Sequence, residues 1–509
     1  MALWGIAYAA GPNYNKAWRY FDPADLRASI QRASDAIAHA ATLPNHLTTP
    51  VERALVSAIA ARFPSPDRIP DDLAPFDRAY ADAMRPVYAQ FGTDPDIAAL
   101  FADALMCMTP RGLWDLDTGE PTGPHTVEAR TVIERGLASA TGRSHPALCH
   151  LHIHVMEMSP TPELALPAAD RLRYLVPDGS HMLHMPTHID AAVGDYRRAI
   201  DSNHEASVAD DKYFATETGT ISYMGYRVHY ICAKLYAAMM CGRFADAMAA
   251  AEKLEEVITD EVLTITSPPV ADAIESFLGS KAHVLIRFGR WEEILRLEVP
   301  GDRELKCATA AVVLYARGLA YSALGRIDEA EATRREFEDA RSAVPESRLN
   351  SIPCKQVDVL GVSSAMLHGE LEYRKGNYEV AFAALREAIR REDALPYSDP
   401  PPWMQPVRHA LGGLLLEQGR VEEAEVLFRE DLGFAKGFPR RRAKLNNVWG
   451  LHGLHECLTR LGKTDDLLFV ESAHAIAVAT ADVPIVASCY CRLSAVESGC
   501  CSEKSGCCQ

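Results

Sequence analysis

At 509 residues the chain has room for roughly two to four domains or one long repeat array. Its 48% hydrophobic and 24% charged residues exclude a disordered chain. With 52 Lys and Arg against 69 Asp and Glu, the net charge of -17 repels polyanions and excludes general nucleic-acid binding; the densest basic run, Arg440, Arg441, Arg442 and Lys444, is short.

The chain opens MALWGIAYAAGPNYN, with no basic flank and no long apolar core, so it does not read as a secretory signal. Helical patterning follows over 22–42, 50–62 and 75–90, punctuated by Pro44, Pro64, Pro66, Pro70 and Pro75. Residues 109–126 are loop-rich, and a helix is expected over about 126–140. The stretch SHPALCHLHIHVMEMSP predicts a helix capped by Ser144, with Pro146 in its first turn and Pro160 at its end. A further helix is expected over 163–175, and Pro186 suits the first turn of the next. No segment offers the roughly 20 continuous apolar residues of a membrane span; the most apolar late stretch, 474–491, is broken by Asp482 and Pro484. A cytoplasmic protein is expected, with its 13 cysteines mostly reduced thiols.

From residue 185 onward one signature recurs: an apolar helix, a glycine with a polar residue, then a helix opening on aromatic or acidic residues and alanines. It centres on Gly194, Gly242, Gly289, Gly325, Gly376, Gly419 and Gly462, at spacings of 36 to 51 residues. Glycine ends a helix here because it accepts the left-handed conformation at the C-terminal cap. These units resemble tetratricopeptide repeats, whose strict period is about 34 residues, with lengthened helices or loops. The expected fold is therefore all-α: a tetratricopeptide-like helical repeat array, or α-solenoid, with a flexible Cys-rich C-terminal tail. The organisation expected is an N-terminal helical region over 1–140, a His-rich helical segment over 141–240, repeats over 241–480 and the tail over 481–509.

The chemistry-bearing residues crowd between 145 and 229, where nine of the 18 histidines fall. On a helix from Pro146, His150 and His154 are four apart and share a face, with Glu157 three further on. His152 points away. A strand would instead align His150, His152 and His154, but the proline-bounded length favours a helix. In HMLHMPTHID, His184 sits in the lead-in and His188 in the first turn of the next helix. Two helices presenting imidazoles at such spacing can close a site for a transition metal, because imidazole with a carboxylate suits copper, zinc or iron.

The tail SCYCRLSAVESGCCSEKSGCCQ holds Cys489, Cys491, Cys500, Cys501, Cys507 and Cys508 among Gly, Ser and Lys. Soft thiolates at this spacing suit an accessory metal, copper(I) or zinc. Together with the imidazoles they favour copper, which the tail would either deliver to the histidine site or bind to protect the protein from excess metal.

The stretch from His145 to Tyr213 also resembles a family of mainly bacterial tetratricopeptide-repeat proteins carrying HPG-x-x-HYYIHAVE, AADRL and HMPSHI patterns. The opening Gly11, Pro12, Asn13 and Asn15 resembles that family's GPN-x-N element. The resemblance implies the repeat fold and gives weight to His150, His154 and Glu157, to His184 and His188, and to His229 before the next helix. It implies no activity.

Nucleotide and common hydrolase motifs are absent: no GxGxxG after a strand, no GxxxxGK[ST], no GxSxG and no HExxH. Two readings of function remain. In the first, His150, His154, Glu157, His184, His188 and His229 hold a metal, copper by preference, in an oxidase or oxygenase acting on a small molecule. Asn13, Tyr14 and Asn15 then line its substrate pocket. In the second, the array is a non-catalytic scaffold binding a peptide or protein partner.

Overall fold

The computed structural model describes residues 1–216 and 221–495. The chain divides into two compact units, Met1–Ile189 with Ser267–Pro269, and Asp190–Thr266 with Val270 onward. No helix among the described residues is long and apolar enough to cross a membrane.

The first unit holds α1 (Ala2–Ala10), α2 (Pro23–Ala41), α3 (Pro50–Ile59), α4 (Ala74–Phe91), α5 (Pro95–Met106), α6 (Pro124–Ala138), α7 (Pro146–Met156), α8 (Leu166–Leu172), α9 (Ser180–His184) and the start of α10 (Pro186–Val193). Proline opens most of these helices because its fixed φ suits the first turn and its missing N–H is not needed there. Side chains of Asp22, Thr49 and Asp94 cap α2, α3 and α5, with Thr49 and Glu52 in a reciprocal box. The segments 22–42, 50–62, 75–90 and 126–140 expected from the sequence correspond to α2, α3 with a following 3₁₀ turn, α4 and α6. Helices α1 and α5 were not expected. In α5 nine of the twelve residues, Ile97–Ala99 and Phe101–Met106, are buried, so it lacks the polar face that makes a helix visible in a sequence. The expected helix 163–175 is a 3₁₀ turn, Pro162–Ala165, running into the shorter α8.

At the start of α7 the cap is His145, not Ser144. Pro146 takes the first helical position, so the capping position falls to the residue before it, and His145 Nδ1 accepts from the Leu148 N–H at 3.4 Å. The Trp114 indole N–H donates to the Val155 carbonyl at 2.6 Å, pinning the 109–123 loop to this helix.

The second unit is built from helix pairs: α11 (Tyr196–Thr216) after α10, then α12 (Ile221–Met240) with α13 (Phe244–Val257). After the short α14 (Asp260–Leu263) and α15 (Val270–Ile274) come α16 (Ser280–Arg287) with α17 (Trp291–Leu295), and α18 (Cys307–Ala323) with α19 (Ile327–Ser342). The last pairs are α20 (Gln356–Arg374) with α21 (Tyr378–Asp393), α22 (Val407–Glu417) with α23 (Val421–Asp431), and α24 (Val448–Leu461) with α25 (Thr464–Thr480). A two-stranded antiparallel hairpin, β1 (Leu349–Ser351) and β2 (Cys354–Lys355), precedes α20.

All seven repeat glycines adopt left-handed φ, between 64° and 83°. After each one, the next N–H reaches back five residues to a helix carbonyl, as from Arg243 to Ala238, Arg326 to Tyr321 and Arg420 to Leu415, at 2.8–2.9 Å. That bond closes the helix end and turns the chain into the next helix. Residues 481–495 pack onto this unit, with Ala487, Ser488, Cys491 and Arg492 buried. Residues 496–509, with Cys500, Cys501, Cys507 and Cys508, lie outside the described residues.

Close helix approach depends on missing side chains. The Phe428 ring of α23 lies against Gly412 of α22 and Gly453 of α24, where a Cβ atom would overlap it. Gly453→Ala is expected to lower stability by about 1–3 kcal/mol through overpacking. Gly5→Ala in α1, with nothing within 4 Å of the added carbon, is expected to leave stability unchanged or raise it by about 0.5–1 kcal/mol. Urea midpoints of the two variants check the contrast.

Candidate metal centre

Three short helices of the first unit bring five imidazoles together. His150 and His154 come from one face of α7, His181 and His184 from α9, and His188 from α10. Glu157 is the residue that ends α7. His154, Glu157, His184 and His188 are buried, and His150 and His181 are half-buried. The ligand nitrogens of His150, His154 and His181 all lie within 4.8 Å of one another.

Glu157 organises the set. Its Oε1 is 2.8 Å from His154 Nδ1 and its Oε2 is 2.6 Å from His188 Nδ1. With its Nδ1 hydrogen directed at the carboxylate, His154 carries its lone pair on Nε2, while His188 Nδ1 lies at ion-pair distance from the other oxygen. This arrangement orients imidazoles around metals and raises their basicity. Burial pushes the Glu157 carboxyl up, but His188 and His154 outweigh it and hold it well below the usual carboxylate range. Burial, together with neighbouring imidazoles, holds His150 well below the ordinary histidine range. Burial also lowers His154, against the pull of Glu157. The depressed values mean the neutral ring is favoured, the form a metal requires. Two further contacts link the rings: His150 Nε2 to His181 Nε2 at 3.1 Å, and His184 Nε2 to His188 Nε2 at 3.0 Å.

The GPN element reaches this cluster. The Asn13 side-chain oxygen accepts from the Asn15 and Lys16 N–H groups at 2.9 Å each, and Asn13 itself is exposed. Asn13 therefore builds the turn that presents its neighbours. The Tyr14 ring is buried against His154, with centroids 4.5 Å apart. Asn15 Nδ2 lies 3.4 Å from His154 Nε2 and 3.5 Å from His181 Nε2. Its amide is oriented by Arg111, whose Nη2 donates to Asn15 Oδ1 at 3.1 Å. Behind the turn, the fully buried Arg62 donates to the Pro12 carbonyl and stacks on Tyr8 and Tyr80.

His152 faces away, with its Nε2 3.8 Å from Glu134. His229 lies on α12 in the second unit, half-buried. Cys489 and Cys491, also in the second unit, are joined as a disulfide with Cα atoms 5.2 Å apart, and offer no thiolate while so joined. Cys107, Cys149, Cys232, Cys241, Cys307, Cys354 and Cys457 are free, buried thiols.

Two participants were not chosen from the sequence. His181 had a legible signal: with His184 and His188 it makes a three-then-four spacing, although Pro186 separates the two helices. Arg111 had none. It sits in the loop after α5 with a left-handed φ of 58°, and only the folded chain brings it to Asn15.

The tetratricopeptide repeat family matches residues 311–336, across α18 and α19, and 405–430, across α22 and α23. The fold is a tetratricopeptide-like helical repeat array. Among solved structures, the human IFIT1 dimer with m7Gppp-AAAA is 12% identical over 93% of this chain and 94% of that one, at a TM-score of 0.35. The APC/C hetero-tetramer Cut9-Hcn1 is 11% identical over 86% of this chain and 81% of that one, at a TM-score of 0.27. Neither likeness bears on what this chain binds. Comparison with curated proteins finds no match.

Glu157→Ala leaves the buried His154 N–H without its acceptor and removes the ion-pair contact of His188. At about 1–3 kcal/mol for an unsatisfied group, a loss of about 1–3 kcal/mol is expected in chemical denaturation.

Proposed function

We propose that the chain is a tetratricopeptide-type scaffold that binds an extended peptide segment of a protein partner along its second unit and carries a transition-metal centre in its first. The scaffold half rests on the paired helices closed by left-handed glycines, two stretches of which match the repeat family. Stacked pairs of this kind build extended binding surfaces. It is tested by selecting peptides from a displayed library against the intact protein and mapping the winners by crosslinking. Crosslinks on the first helices of the second unit's pairs support it; no selected binder, or crosslinks scattered over both units, overturns it.

The metal half rests on the convergence of His150, His154 and His181. Imidazoles oriented by a buried carboxylate suit copper, zinc or iron. In this reading His150, His154 and His181 hold the ion, Glu157 orients His154, and the Asn15 amide, set by Arg111, offers a donor beside it. A bound copper ion would supply redox chemistry, and an oxidase or oxygenase on a small molecule is the enzymatic form of this reading. The ligand set is what favours it, with Asn13, Tyr14 and Asn15 as the lining of its substrate pocket. Elemental analysis of protein produced in copper-, zinc- and iron-supplemented medium is expected to find near-stoichiometric metal. His150→Ala and His154→Ala are expected to lose it, and Glu157→Gln to bind it about 10–100-fold more weakly. Wild-type protein that stays metal-free after soaking removes the centre and leaves the scaffold.

A further inference from the structure

Beyond α25 the described residues stay on the second unit. Residues 481–495 run as a largely irregular strap, touching helices far apart in the sequence. At its start the Asp482 carboxylate accepts from the Phe244 and Ala245 N–H groups at 2.6 and 3.0 Å, at the N-terminus of α13. In the middle, the Ser488 carbonyl accepts from Arg287 Nη2 of α16 at 2.7 Å, and the Ser488 hydroxyl donates to the His409 carbonyl of α22 at 3.0 Å. The Cys491 carbonyl accepts from Arg374 at the end of α20. At its far end Arg492 pairs with Glu456 of α24 at 2.6 Å, and the Ser494 hydroxyl donates to Glu417 of α22 at 2.5 Å.

Three features distinguish this packing from a chain end lying on a surface. Apart from the Asp482 cap, these bonds come from the first helices of their pairs, α16, α20, α22 and α24. The strap's backbone is read at two carbonyls by two arginines, one of them, Arg287, almost wholly buried with its ring neighbour Trp449 4.2 Å away. The floor is also cleared for it: a side chain on Gly413, in mid-helix, would press on Ser488, with its Cβ 3.1 Å from the hydroxyl. Arginine–carbonyl bonds, a pared floor, a carboxylate cap at one end and a charge pair at the other, with pockets taking side chains such as Ile485 and Cys491, are how a groove holds an extended peptide.

We propose that residues 482–494 are an intramolecular ligand seated in the peptide-binding groove of the second unit. The partner that displaces them is an extended segment of another protein carrying an acidic residue ten positions before an arginine, with small or apolar residues between. The groove is closed in the resting chain and opens by exchange. This inference rests on the scaffold reading and adds the identity of the site and of what competes for it.

The test uses the full chain and a fluorescent peptide of residues 481–495, the Cys pair replaced by Ser. Wild-type protein is expected to bind it weakly. The double variant Asp482→Ala/Arg492→Ala, which loosens both ends of the strap, is expected to bind it at least 10-fold more tightly. Adding Arg374→Ala should abolish the gain, and a scrambled peptide should not bind. A folded double variant that binds the peptide no better than wild type overturns the proposal, as does a dimer made by exchange of straps between copies. Should the double variant not fold, hydrogen exchange of the wild type decides. Amides of 483–494 that exchange well ahead of those in α22 and α24 support a displaceable ligand; equal protection makes the strap a permanent part of the core and overturns it. If library peptides crosslink to the second unit while the strap peptide fails, only this inference falls.

Discussion

A buried carboxylate held between two imidazoles decides the character of the first unit. Glu157 sits at the end of α7, 2% exposed, with one oxygen on His154 and the other on His188. A charge so far from water is held only by excellent partners. Here the partners come from α7 itself and from α10, so the carboxylate ties together helices separated by α8 and α9. It also fixes which nitrogen of the His154 ring carries the lone pair. Without it the five histidines would be packed aromatic rings; with it, His154 presents a donor atom in a set orientation.

Much of this was legible in the sequence, and the reasons differ from place to place. The repeats were visible because each turn needs a residue with positive φ, and glycine at those positions stands out against helical flanks. The α7 face was visible because four- and three-residue spacings put His150, His154 and Glu157 on one side. The role of Glu157 was not: spacing shows that a carboxylate is near, but only the distances show that it meets the Nδ1 hydrogen of His154 and so orients a ligand. Asn13 likewise reads as a pocket residue, and only the structure shows its side chain holding the turn. Arg111 and the strap escaped entirely, because both depend on contacts between segments distant in the chain.

The second unit solves a different problem. Its helices are amphipathic pairs that cannot bury their apolar faces singly, and stacking supplies the missing surface. Glycines serve it twice, at turns through their conformational freedom and inside α22 and α24 by leaving room for the Phe428 ring. Polar groups are buried there too. His409 bridges Arg287 and the Asp431 carboxylate, at 3.0 and 2.8 Å, and Asn447 donates to the same carboxylate oxygen, Oδ2, at 2.8 Å. Such networks are stable when every member is satisfied and costly when one is missing, which sets the register of α16, α22, α23 and α24 within that unit.

Arg62 carries a consequence for the histidines. Its guanidinium is sealed behind the GPN turn, between two tyrosine rings, and grips the Pro12 carbonyl. Moving the turn outward would drag a cation out of its aromatic sandwich or leave it without its acceptor. The segment bearing Tyr14 and Asn15 is thus a fixed wall. The ring of Tyr14 and the amide of Asn15 are therefore held against His154 by a cation buried behind them.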